Sequence, residues 1–381
     1  MIRSTFLLLG LTLSSCSLPV VAPRDGKLTR ADIDASLRTL WNARQSQLRD
    51  ERAEELHSRT IELAGKTLRW EERVFGEEPT NGHSLWISMH GGGNAAARVN
   101  DRQWTNQMSL YKPTEGIYVA PRAPTDTWNL WHQPHIDPMF DRLIEDYVAL
   151  RRVNPDRVYI MGYSAGGDGV WQLAPRMADR WAAAAMMAGH PNDASLLSLR
   201  NLPFALFVGG NDAAYNRNKI VAERATELDK LRQADPGGYE HLARVYEGLP
   251  HWMNRQDTEA LPWMAERTRN PWPKKIVWRQ DDVTHTRFYW LAVPLAEAKA
   301  KTKVVAEVNG QNIVLTGDVP KGMTLRLSDP LVNLDKPLRV SVNGHEVFQG
   351  RVGRRSEVIR ESLQERADPR SAATAKLVLD W

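Results

Sequence analysis

The fold is decided in Arg157-Val158-Tyr159-Ile160-Met161-Gly162-Tyr163-Ser164-Ala165-Gly166, followed closely by Gly169-Val170-Trp171-Gln172-Leu173. The first five residues have the length and apolar content of a short buried strand. The last five suit a helix. Between them, Gly162 to Gly166 matches G-x-S-x-G. A strand that reverses into a helix this sharply leaves no room for side chains two positions before and after the serine, so both glycines are required. The serine itself must sit in a strained backbone conformation that pushes its Oγ into a cleft. The N–H of Ala165, at the helix start, is then a natural donor to a developing oxyanion.

Working outward, the strand Ser84 to Met89 runs into His90-Gly91-Gly92-Gly93. This run resembles the HGGG oxyanion loop of lipases and esterases. Gly92, together with Gly93, is the expected second source of N–H donors. His90 is expected to fix this loop rather than act as a base. The succession of strand–HGGG, strand–GYSAG, strand–acid and strand–His resembles the α/β-hydrolase superfamily. It is most similar to secreted esterases of the feruloyl-esterase and polyhydroxybutyrate-depolymerase type, over roughly residues 67 to 270. The resemblance implies a Ser, then Asp or Glu, then His chain order. Ser164 is the nucleophile. Asp212, at the end of Phe204-Ala205-Leu206-Phe207-Val208, is the candidate acid, and Asp193 competes for that place. His251, after Ala243-Arg244-Val245-Tyr246, is the candidate base.

Short apolar strands alternating with helices predict an α/β fold with a mostly parallel central sheet covered on both faces. Before it, residues 28–66 have helical spacing among many charges and predict an N-terminal helical segment. After Pro271-Trp272-Pro273 the pattern becomes strand-rich. Asn309-Gly310 and Asn343-Gly344, each between apolar runs, predict hairpins. Residues 271–381 thus read as a small antiparallel β domain that follows a catalytic domain over 67–270. The first residues predict an export signal, with Arg3 followed by an apolar run, Phe6 to Leu13, too short to span a bilayer. Leu13-Ser14-Ser15-Cys16 resembles a lipobox, which implies cleavage before Cys16, lipidation of its thiol, and a tether over 16–27. Cys16 is the only cysteine, so no intramolecular disulfide exists. Ser17, by the same resemblance, favours the outer membrane of a Gram-negative bacterium, with a periplasmic location as the alternative.

The 381 residues are 42% hydrophobic with a formal net charge of +4, and the basic residues are scattered. Nucleic-acid binding has no support from that distribution. No H-E-x-x-H or paired C-x-x-C spacing occurs, so neither metal nor organic cofactor is expected. Fourteen tryptophans are many for this length. Trp128, Trp131 and Trp252 are expected at the cleft rim as substrate-binding residues, with Trp104 nearby and Tyr215 and Arg217 just beyond Asp212. The expected activity is hydrolysis of short or aromatic acyl esters, free or linked to polysaccharide. Two alternatives remain open at this level: a serine peptidase of the prolyl-oligopeptidase-like kind, and a catalytically inactive binding lipoprotein.

Overall fold

The structure, a computed structural model, describes residues 26–380. Cys16, the expected signal and nearly all of the expected tether lie outside the described residues. The first long element is helix α1 (Ile33–Ser58). The sequence predicted helix as far as residue 66, but the chain leaves it at Arg59, which adopts left-handed φ 53, ψ 47. Thr60 to Leu63 is instead strand β1 (Thr60–Leu63). Its β-branched Thr60 and Ile61 favour a pleated surface, and Ile61 is fully buried there. The sheet therefore begins ahead of residue 67.

Strand β2 (Lys66–Phe75) follows directly. The chain continues through β3 (His83–Met89), helix α2 (Ala97–Leu110), β4 (Gly116–Arg122) and helix α3 (Ile136–Leu150). Next come β5 (Val153–Tyr163), helix α4 (Ala165–Arg176), β6 (Ala183–Met187) and β7 (Phe204–Gly209). Helix α5 (Arg217–Ala234), β8 (His241–Tyr246) and the short helix α6 (Ala260–Ala265) complete this part. The eight strands form one sheet in the order β1-β2-β4-β3-β5-β6-β7-β8. β2 is antiparallel to both neighbours, and every pair from β4 to β8 is parallel. This is the α/β-hydrolase arrangement.

Side-chain alternation along the strands sorts two cores. Leu85, Ile87, Val158 and Ile160 pack with Phe140 of α3 and Trp171 of α4. Trp86, Tyr118, Tyr159 and Met161 pack on the opposite face, with Met264 of α6. Both faces are dry, so the strands read as near-continuous apolar runs, as parallel strands must.

Beyond residue 271 one sheet has five strands, in the order Lys275–Arg279, Lys303–Asn309, Asn312–Gly317, Leu338–Val342 and His345–Gly350. A second has four short strands. Both Asn-Gly pairs turn hairpins: Asn309 pairs with Asn312, and Val342 with His345. The expected all-antiparallel pattern fails at one place, because Asn312–Gly317 runs parallel to Leu338–Val342. The chain between them leaves for the other sheet and returns, which supplies the crossover that parallel pairing needs. Helix α7 (Ser356–Glu365) was not foreseen. Trp272, Ile276 and Trp278 share a buried cluster with Phe204 and Leu196, so the apolar core is continuous across residue 271. α1 packs on both α3 and α7 and ties the two parts together, with Arg52 reaching Glu145 at 2.8 Å.

Candidate active site

Parallel strands deliver the residues that follow them to one sheet edge. His90 to Gly93 follow β3, Ser164 follows β5, Asp212 lies just past β7, and His251 lies just past β8. Ser164 caps α4 with φ 58 and ψ −120. Holding a residue in such a region costs about 1–3 kcal/mol, which the surrounding hydrogen bonds must offset. One of them is Ser164 N–H donating to the Met187 carbonyl at 2.9 Å. The elbow glycines leave no choice of residue: a Cβ on Gly166 would lie 2.1 Å from the Met89 carbonyl oxygen, and one on Gly162 would lie 2.2 Å from that of Gly166.

His251 Nε2 is 3.0 Å from Ser164 Oγ, and His251 Nδ1 is 2.7 Å from Asp212 Oδ2. Asp212 is buried, and its only hydrogen-bonded imidazole is this one. A carboxylate accepting from Nδ1–H leaves Nε2 with its lone pair toward the serine hydroxyl. Arg217 Nη1 approaches the other Asp212 oxygen at 3.7 Å. Asp193 is exposed and makes no hydrogen bond to His251, so Asp212 takes the place for which both were candidates.

The structure also shows what holds His251. Tyr163 Oη donates to the His251 carbonyl at 2.6 Å and accepts from Met253 N–H at 3.2 Å. Burial raises the Tyr163 pKa, which keeps the hydroxyl protonated as a donor. Sequence reasoning treated Tyr163 as the free position of G-x-S-x-G. Its large polar-tipped side chain beside the serine was the available signal.

The glycine loop divides its labour. Gly92, at φ 113, and Ala165 have N–H groups that find no protein acceptor among the described residues. Gly93 N–H is already spent on Asn100 Oδ1 at 2.9 Å, which removes it from the expected donor set. Asn100 is fully buried and donates in turn to Asp126 Oδ1 at 2.7 Å, and Arg122 clamps Asp126 at 2.5 Å. Nothing in the local sequence marked Asn100, because it sits on α2, seven positions from its partner Gly93. His90 behaves as expected of a loop anchor. Its Nδ1 pairs with the Gly91 carbonyl at 2.6 Å, and its Nε2 accepts from Ala123 N–H at 3.1 Å. Burial pushes its pKa down to about 4, so the ring is neutral at physiological pH.

Two cavities meet at Ser164. One, of ≈ 320 Å³, is polar and includes Gly92, Ala165, Trp128, Asp168, Asn192 and Arg217 in its lining. Asn192 Nδ2 and Arg217 Nε are buried there without an acceptor. The other, of ≈ 460 Å³, is more apolar and includes Leu110, Tyr163, His251 and Trp252. Trp128 and Trp252 are exposed at 60% and 44%, each facing its own cavity. Trp131 is a correction: it is fully buried, with Nε1 donating to the His90 carbonyl at 2.8 Å. It supports the glycine loop from beneath and has no surface for substrate. Tyr215 lies at the rim of the polar cavity with Arg217 stacked 4.8 Å from its ring. Among the described residues, no three His, Cys, Asp or Glu side chains gather as metal ligands.

No protein-family model matches the chain. A stretch of 140 residues is 28% identical to "Putative esterase NocK" of Nocardia uniformis subsp. tsuyamanensis, covering 35% of this chain and 41% of that protein. The chain thus spans under half the length of that relative. Among solved structures, one described as a thermostable esterase aligns over 55% of this chain and 62% of its own, at 20% identity and TM-score 0.42. A feruloyl esterase module from Clostridium thermocellum aligns over 54% and 85%, at 17% identity and TM-score 0.36.

Proposed function

We propose that the chain is a carboxylic ester hydrolase that works through a serine acyl-enzyme. The observation that carries this reading is the hydrogen-bonded line Ser164–His251–Asp212 beside the two unpaired N–H groups of Gly92 and Ala165. In the proposed reaction His251 Nε2 takes the Ser164 proton as Oγ attacks the ester carbonyl. Asp212 stabilises the imidazolium that forms. The carbonyl oxygen, now negative, accepts from Gly92 and Ala165 N–H, each such donor being worth about 10²–10³ in rate. His251 returns the proton to the departing alcohol. Water then attacks the acyl-enzyme with His251 as base, releasing the acid and restoring Ser164.

The similarity to an esterase relative supports an ester as substrate. The apolar cavity by Trp252 suits a short or aromatic acyl group. The polar cavity, with its unpaired Asn192 and Arg217 donors, suits an alcohol portion rich in oxygen acceptors, such as a saccharide. The test is turnover of p-nitrophenyl and hydroxycinnamoyl esters by the wild type and Ser164→Ala. We expect hydrolysis by the wild type, fluorophosphonate labelling of Ser164, and loss of both in the variant. Ester turnover that survives in Ser164→Ala removes the serine from the mechanism. Export and lipid anchoring through Cys16 belong to the same proposal. Labelling with an alkynyl fatty acid in cells, lost in Cys16→Ala, is its expected signature.

A further inference from the structure

A third cavity, of ≈ 370 Å³, lies away from Ser164 and shares no lining residue with the two cavities that meet there. It is bounded by Asp141 of α3, by His285 to Arg287 and Ala292–Val293, by Arg326, and by Glu365 and Arg366 at the end of α7. Three guanidinium groups therefore face one space: Arg287, Arg326 and Arg366. Their carboxylate partners are fewer. Arg366 is bonded to Asp179 behind it. Arg326 is bonded to Glu365. Asp141 is occupied by Arg180 at 2.7 Å, and His285 by Asp137 at 2.8 Å.

Arg287 is left over. It is only 8% exposed, yet its contacts are two long bonds to carbonyls, Tyr289 at 3.5 Å and Ser371 at 3.2 Å. Its Nη1 has no acceptor, and the nearest carboxylate oxygen, on Glu365, stands 3.6 Å off and already serves Arg326. Arg326 Nε is likewise buried without a partner. Burial, with Arg366 and Arg326 alongside, pushes the Arg287 pKa well below its ordinary value. A buried guanidinium whose nearest carboxylate is shared and beyond hydrogen-bond reach is costly to hold. The cost falls when an anion enters and pairs with these guanidinium groups. Guanidinium forks match the spacing of phosphate and carboxylate oxygens.

We infer that this cavity is a binding site for an oxyanion, a phosphate- or carboxylate-bearing small molecule held by the guanidinium groups of Arg287 and Arg326 that line it. The pocket is larger than the anion itself. Thr286, Ala292 and Val293 line its remaining wall and suit a small organic body attached to the charged head. The site joins α3 of the hydrolase sheet to the C-terminal strands and α7. Its occupation therefore stiffens the junction between the two parts without touching Ser164.

The experiment uses the full chain with inorganic phosphate and, separately, citrate as probes, each against chloride at matched ionic strength. The readouts are calorimetric binding and the thermal midpoint. We expect saturable binding by at least one probe, and a midpoint rise of about 2 °C at tenfold excess over Kd. Arg287→Met should abolish both, with ester turnover unchanged. Without anion it should melt no lower than the wild type, because the buried charge it loses has no hydrogen-bonded carboxylate. Should Arg287→Met fail to fold, Arg326→Gln serves as the second variant and is expected to weaken binding at least tenfold. No saturable binding of either probe by the wild type, or equal binding by wild type and variant, overturns the inference.

Discussion

The cleft at Ser164 and the junction at Arg269 spend unfavourable energy in different ways. In the cleft the strain lies in the backbone: Ser164 at φ 58 and Gly92 at φ 113 hold shapes that place two N–H groups where no protein atom meets them. At the junction the load is mainly charge. Arg269 is buried between Asp156 and Asp368, at 2.8 Å from each, and Arg366 is buried on Asp179. The cleft leaves donors unpaired for a reacting molecule to use. The junction pairs nearly every charge because breaking a buried pair is costly. Arg287, like Arg326, is an exception that connects the two kinds of region. It is an unpaired donor at the junction, as Asn192 and Arg217 are in the cleft.

This contrast can be broken most sharply at the acid. Asp212→Asn is expected to lower kcat for ester hydrolysis by about 10⁴, because Nδ1 then faces an amide and the productive tautomer is lost. Asp193→Asn should change it by less than about twofold, as expected of an exposed side chain. Steady-state kinetics of the two variants separates them. An Asp193 effect as large as that of Asp212 would remove the asymmetry on which the site reading rests.

At the junction the expected loss is in stability, with turnover intact. Burial alone would raise the Asp368 carboxyl pKa, but Arg269 and Arg180 outweigh it and hold the group well below the usual range. Such a carboxyl contributes stability above its unfolded pKa and loses it as pH falls through the folded one. Asp368→Asn should therefore cost about 3–5 kcal/mol at pH 7 in denaturant melts, with kcat/KM unchanged well below the transition. The difference from wild type should shrink in strong acid.

Smaller effects sharpen the picture of the glycine loop. Asn100→Ala frees Gly93 N–H and lets the loop shift. A fall in kcat of about tenfold to 10²-fold, with KM little altered, is the expected pattern. Asp168 reads the opposite way from Asp368. Burial raises its carboxyl pKa to about 6 although His190 N–H donates to it at 2.6 Å. In the window between its ordinary value of 3.8 and about 6 the folded state holds the extra proton. Stability therefore falls as pH rises across that window and stays lowered above it. Asp168→Asn keeps an acceptor for His190 and should gain about 2 kcal/mol at pH 7, with no gain near pH 4. Melts at the two pH values measure this directly.

The sheet and its elbow were legible because their signals are local. A buried strand, a glycine-bounded serine and a second triple glycine are each written within a few consecutive residues. Helix α1 was legible too, but not its end, because the left-handed turn at Arg59 involves a residue that carries no special preference for it. The parallel pairing of Asn312–Gly317 with Leu338–Val342 was hidden because hairpin signals report neighbours in the chain and not strands that return from elsewhere.

Apolar periodicity placed residues 164, 212 and 251 each after a strand of a mostly parallel sheet, and the resemblance to α/β-hydrolases singled them out together, with Asp193 as a rival for the acid. Only tertiary packing decided which groups are free there. Gly93 lost its N–H to Asn100, Trp131 was drawn into the core beneath His90, and Arg287 was buried with one nitrogen lacking a hydrogen-bond acceptor. Hydrogen-bond satisfaction and burial are properties of atoms brought together across the fold, and no window along the chain contains both partners.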